Sequence, residues 1–141
     1  MAIINIEEIQ TGISLLDRQH ERYFETVERV LQSCREENPD PLNLKDILTQ
    51  VREYAVDNFD TEEYLMTLEN YPDYDVHKAK HDFFKDRIDG FAPRLEDGQL
   101  EASTDLLKEL YAVLVDWFNT QIKDDDMKLA HFLNERNRSK T

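Results

Sequence analysis

Cysteine, helix-breaking residues and positive charge are all scarce in this chain. One cysteine, Cys34, stands among 141 residues, so no internal disulfide can staple the fold and the core must come from burial alone. Cys34 lies on an apolar stripe, where a buried, unreactive thiol is the expectation. Three glycines and four prolines leave few places to interrupt a helix, which favours long helices over strands and turns. Lysine and arginine number 17 against 31 aspartates and glutamates, a formal charge of −14. A surface that acidic repels phosphate, so nucleic acid and an anionic membrane are poor partners. The basic run from Arg136 to Lys140 is too short to reverse this. No apolar run reaches spanning length and no signal peptide is visible, so the cytoplasm is the expected compartment.

Hydrophobic residues make up 40% and aromatics 10% of the chain, enough for a packed core in one domain over residues 1–141. Apolar positions recur at helical spacing in four segments. The first reads Leu16, His20, Phe24, Val27, Leu31, Cys34, and NPDP (Asn38 to Pro41) ends it. The second reads Leu44, Leu48, Val51, Ala55, Asn58, Glu62, Leu65 and closes before Tyr71-Pro72. The third reads His77, His81, Phe84, Ile88, Phe91, with Pro93 and Gly98 marking a loop. The fourth reads Leu107, Leu110, Leu114, Trp117, Gln121. A shorter amphipathic tail with Leu129, Phe132 and Leu133 follows, and residues 1 to about 12 read as an extended arm. The expected fold is all-α, an up-down-up-down four-helix bundle with an N-terminal arm and a short C-terminal helix.

That topology fixes heights. His20 is near the start of the first helix, Asn58 and Glu62 near the end of the second. His77 and His81 open the third helix, while Gln121 closes the fourth with Asp126 just beyond. Antiparallel packing brings all seven to one end of the bundle, and each interrupts an apolar stripe. Each unpaired buried polar group costs roughly 1–3 kcal/mol, and an isolated carboxylate far more. One dication or a pair, bound by the imidazoles and carboxylates, compensates directly. A metal-free hydrogen-bonded layer is the blander reading, and a lone inward histidine such as His20 is ordinarily a satisfied core residue. His131 has no partner at helical spacing and reads as a surface residue.

The segments GISLLDRQH, NFDTEEYLM, YPDYDVHKAKH and WFNTQIKDDD, taken in order, resemble the hemerythrins, specifically their single-domain bacterial form. The resemblance spans essentially the whole chain and implies a non-haem di-iron centre that binds O2 reversibly. On that resemblance His20 is the histidine of the second iron, in GI-x-x-x-D-x-Q-H. Glu62 is a bridging glutamate in F-x-x-E-E-x-L-M. His77 and His81 are the H-x-x-x-H pair on the first iron, and Asp126 is the second bridge. Two positions depart: Asn58 and Gln121 stand where the family has histidines. The arm also lacks the family's usual early aromatic residue. Amides ligate only through a neutral oxygen, or stay off the metal and hydrogen-bond to water or a carboxylate.

Three functions follow as expectations. The first is O2 binding or sensing at a di-iron site with an altered coordination shell. The second is a single-metal or non-iron binding or signalling module that has lost reversible O2 carriage. The third is oxidase or peroxidase chemistry at a di-iron pair, although nothing in the sequence names a substrate or places a nucleophile beside a base.

Overall fold

The computed structural model describes residues 9–36, 41–96 and 103–139. Among them there is no strand. Six α-helices follow in order: α1 (Ser14–Cys34), α2 (Pro41–Leu68), α3 (Tyr74–Asp89), α4 (Phe91–Glu96), α5 (Ser103–Trp117) and α6 (Asp126–Ser139). A π-helical stretch, Phe118–Asp125, joins α5 directly to α6. The expected bundle is present: α1 packs on α2 and α5, and α2 on α3.

The apolar stripes read from the sequence form the core. Val27, Val30, Ile47, Val51, Leu110 and Leu114 are all buried in one cluster with Tyr23, Tyr54, Phe59, Phe84 and Trp117. Burial of a large side chain contributes about 1.5–3 kcal/mol, so this cluster dominates the driving force. A second, smaller cluster of Met66, Tyr71, Leu129 and Leu133 lies where the end of α2, the following turn and α6 meet. Its ring contact, Tyr71 to Phe132 at 5.0 Å, gives α6 a place to dock beside the polar end of the bundle.

The ends of the elements have local causes. Asn70 takes a left-handed conformation (φ 54°), and the Tyr71 amide reaches back to the Met66 carbonyl at 2.9 Å. A left-handed residue beyond the last turn closes the carbonyls of α2, and Pro72 prevents its resumption. At the other end of the chain, Gly12 sits at φ 79°. That turn lets the Thr11 amide and hydroxyl both donate to Asp17 Oδ1, at 2.8 and 2.7 Å. Asn134 of α6 holds the same turn through its amide on the Thr11 carbonyl at 2.8 Å.

Several expectations are refined. Most of the expected arm, the NPDP stop from Asn38 and the loop at Gly98 lie outside the described residues, except Pro41, which begins α2. Of the arm, Ile9 is buried in the core. Pro93 does not mark a loop: it lies in the first turn of α4, where a missing N–H costs nothing. The C-terminal helix is not a separate tail but the direct continuation of the fourth bundle helix. Cys34 is half-buried against the core rather than enclosed, and burial pushes its thiol up from the ordinary range, as suits an unreactive thiol. His131 is exposed, as expected. No described helix is long and apolar enough to cross a membrane.

Candidate metal centre

His20, Asn58, Glu62, His77, His81, Gln121 and Asp126 are all buried, none more than 3% exposed. Glu62, His77, His81 and Asp126 each offer one donor atom, and these atoms lie within 4.8 Å of one another. Glu62 Oε1 is 2.8 Å from His77 Nε2 and 3.1 Å from His81 Nε2. Asp126 divides its two oxygens. Oδ1 is 3.2 Å from His77 Nε2, and Oδ2 is 3.2 Å from His20 Nε2. Glu62 Oε2 and His20 Nδ1 are buried with no hydrogen-bond partner.

Helical geometry explains most of this convergence. His77 and His81 are four apart on α3 and share a face, and antiparallel α2 brings Glu62 to the same height. Asp126 requires something more. Five residues along an α-helix turn through 500°, leaving Gln121 and Asp126 about 140° apart. Here the Asp126 amide donates to the Gln121 carbonyl, five residues back. The widened turn stacks the two residues, so that Gln121 Nε2 lies 3.4 Å from Asp126 Oδ1 and 3.1 Å from His77 Nε2. Single π turns inside α-helices are rare and concentrate at functional sites.

The two amides standing at histidine positions have opposite fates. Gln121 joins the donor layer, against His77 and Asp126. Asn58 is turned elsewhere. Its Oδ1 accepts from the Tyr54 hydroxyl at 3.2 Å, and its Nδ2 donates to Gln19 Oε1 at 2.9 Å. Gln19 in turn donates to Thr61 Oγ1 at 3.1 Å. Freeing Asn58 would leave buried groups unsatisfied, at about 1–3 kcal/mol each.

The ring of His81 is held on both sides. Its Nδ1 meets Glu63 Oε2 at 2.9 Å, the pairing that fixes Nδ1–H and leaves the Nε2 lone pair facing the donor layer. Phe59 stacks on the same ring at 3.9 Å with a 2° tilt. Lys78 lies 3.6 Å from Glu63, so the carboxylate is itself anchored. The roles of Glu63, Gln19 and Tyr54 were not assigned from the sequence. Glu63 was findable, because it stands one turn after Phe59 and both residues meet the His81 ring; the Gln19–Asn58 contact joins residues 39 apart and leaves no local trace.

Electrostatics follow the contacts. Burial opposes charge on His77, but its hydrogen bonds to the Asp126 and Glu62 carboxylates outweigh it and carry the imidazole up to about 10. His20 moves the same way against its burial because it faces Asp126. Burial alone would raise Asp126, yet His20 and His77 hold it well below the carboxylate range. These are the residues of a layer in which positive charge is favoured.

The donor set suits a cation. Two imidazoles and two carboxylates without a thiolate match iron, manganese or zinc by ligand type. The unpartnered Glu62 Oε2 and His20 Nδ1 are buried polar atoms that the protein itself leaves unsatisfied.

Residues 11–133 match the family model of the hemerythrin HHE cation binding domain. The chain belongs to the hemerythrin family. Its hemerythrin relatives include a protein named bacteriohemerythrin from Stenotrophomonas maltophilia, 26% identical over 124 residues, which are 88% of this chain and 76% of the relative. Proteins of the same name from Pseudomonas aeruginosa and Clostridium acetobutylicum are each 25% identical. The matches cover 85% of this chain in both cases, and 74% and 92% of those proteins. As a hemerythrin-family chain with a buried Glu–His–His–Asp cluster, this is a metal-binding domain.

Proposed function

We propose that this protein holds iron, or a cation of similar preference, through Glu62, His77, His81 and Asp126, with His20 and Gln121 completing the layer, and presents it to O2 or another small ligand. One observation carries the reading: four donors from three helices lie within 4.8 Å of one another in a buried layer. Bound there, the cation would supply an electrophilic position for a small molecule. The chain's own residues would do the rest. Glu63 and Phe59 orient His81, Glu62 and Asp126 neutralise the charge, and the apolar wall of Phe59, Phe84 and Trp117 limits water beside it.

The resemblance to the hemerythrins is what supports O2 as the ligand class. A cavity of about 170 Å³ between α3 and the fourth bundle helix stands beside the layer: Phe83, Phe84, Val113 and Trp117 line it together with Lys80, Arg87 and Asp116, and Gln121 of the layer forms part of its wall.

The test is metal content with its structural consequence. Protein purified from iron-rich medium should carry metal, lose it to a strong chelator and melt at a lower temperature without it. Glu62→Ala should abolish both the metal and the chelator effect. Reduced, iron-loaded protein should gain a visible band on adding O2 that disappears on degassing. Metal-free protein whose melting is indifferent to iron, manganese, zinc and chelator would refute the cation; a metal-loaded protein blind to O2 would refute only the choice of ligand.

A further inference from the structure

We infer that the two halves of this donor layer are unequal, and that the chain holds one cation tightly rather than a matched pair. The inference rests on the cation-binding reading above and adds the stoichiometry. The near half has Glu62 Oε1, His77 Nε2, His81 Nε2 and Asp126 Oδ1, with the Gln121 amide against two of them. The far half has His20 Nε2 and Asp126 Oδ2, together with the unpartnered Glu62 Oε2. The residue that should complete it from α2 is Asn58, one turn before Glu62 on the same face.

Asn58 is fully buried and both ends of its amide are occupied. The Tyr54 hydroxyl donates to its oxygen and Gln19 accepts from its nitrogen. Gln19 is itself fixed by donating to Thr61 Oγ1 and to the Asp57 carbonyl. Turning the amide oxygen toward a cation would break two buried hydrogen bonds in exchange for one weak neutral ligand. The network therefore works as a lock that keeps Asn58 out of the layer.

The far half is left with one imidazole, His20, and one oxygen from each of Asp126 and Glu62. The family's paired centre therefore does not fit the residues of this chain in its far half.

The experiment uses the full chain, stripped with chelator and titrated anaerobically with Co2+, with bound metal counted by elemental analysis and the ligand-field spectrum. One equivalent should bind tightly, any second at least about tenfold more weakly, the scale of a lost supporting interaction in metal sites. Asn58→His should add a second equivalent comparable to the first. Two equivalents of similar affinity in the parent chain would overturn this inference and leave the proposed function standing. Asn58→His that still binds one would overturn the lock as its cause. No binding by the parent would instead overturn the proposed function itself. Should Asn58→His fail to fold, the parent stoichiometry decides alone.

Discussion

Raising the pH from 7.5 to 8.5 should tighten divalent-cation binding about tenfold, because a proton must leave His77 for the cation to enter. In the metal-free layer Asp126 and Glu62 outweigh the effect of burial and carry His77 from its ordinary 6.5 to about 10. Throughout that pH interval the ring is still protonated, and each binding event releases one proton. The logarithm of the association constant then climbs by about one per pH unit until near pH 10. An ordinary imidazole would have finished titrating and the curve would be flat. His20 is raised in the same sense, against its burial, because it faces Asp126. Asp126 is held far below this window and adds nothing to it. Competition between the protein and a chromophoric chelator for Co2+, repeated across pH, measures the slope. Asp126→Asn should flatten it by removing a hydrogen-bonding anion from His77. A plateau above about pH 7.5 in the parent chain would refute the reasoning. The same linkage acts on metal-free stability. A raised imidazole stabilises fully below its unfolded value of 6.5 and loses that contribution as pH rises through about 10. The metal-free melting temperature should therefore decline across that window. The contribution of depressed Asp126 has the opposite sense: it is present above the usual carboxylate range and is lost as pH falls through its folded value.

Phe59→Ala removes a ring that is fully buried and stacked on His81; it should cost about 3–5 kcal/mol, or roughly 10–20 °C in melting temperature at this chain length. A loss under about 3 °C would mean that the site end of the core is loosely packed. Glu63→Ala should weaken cation affinity about 10–100-fold, with Glu63→Gln recovering part because it keeps an acceptor for His81 Nδ1; equal affinity in all three proteins would remove Glu63 from the argument. Gly12→Ala has room for a methyl group beside Asn134 but not the backbone, so it should cost about 1–2 kcal/mol. Denaturant unfolding that finds no loss would show that the turn relaxes.

Much of this was legible along the chain. Spacing alone gave the four long helices, though the third was read through Phe91, where the structure ends α3 at Asp89 and starts α4; antiparallel connection put His20, Glu62, His77, His81, Gln121 and Asp126 at one end, because height in a bundle follows from position along each helix. What stayed hidden depends on contacts between distant residues or on departures from regular geometry. Asn58 and Gln121 look equivalent as amides at inward positions, yet only a partner on α1 decides that Asn58 turns away. The separation of five between Gln121 and Asp126 contradicts an α-helical face, and that conflict was the one local sign of the π turn. Pro93 in sequence suits a loop and the first turn of a helix equally, because a proline ends a helix and begins one equally well; only the structure places it in α4.

The wide turn at Phe118–Asp125 makes the winding of this segment the quantity that aims α6. Straightening it into an unbroken α-helical rod with every residue kept would swing everything beyond it by about 100°, carrying the Asp126 position off the layer and Leu129 and Leu133 off their cluster. Removing one residue along with the wide turn would cancel that swing, because Gln121 and Asp126 would then stand four apart on an α-helical face. Residue count and helix type in this segment are therefore tied to each other.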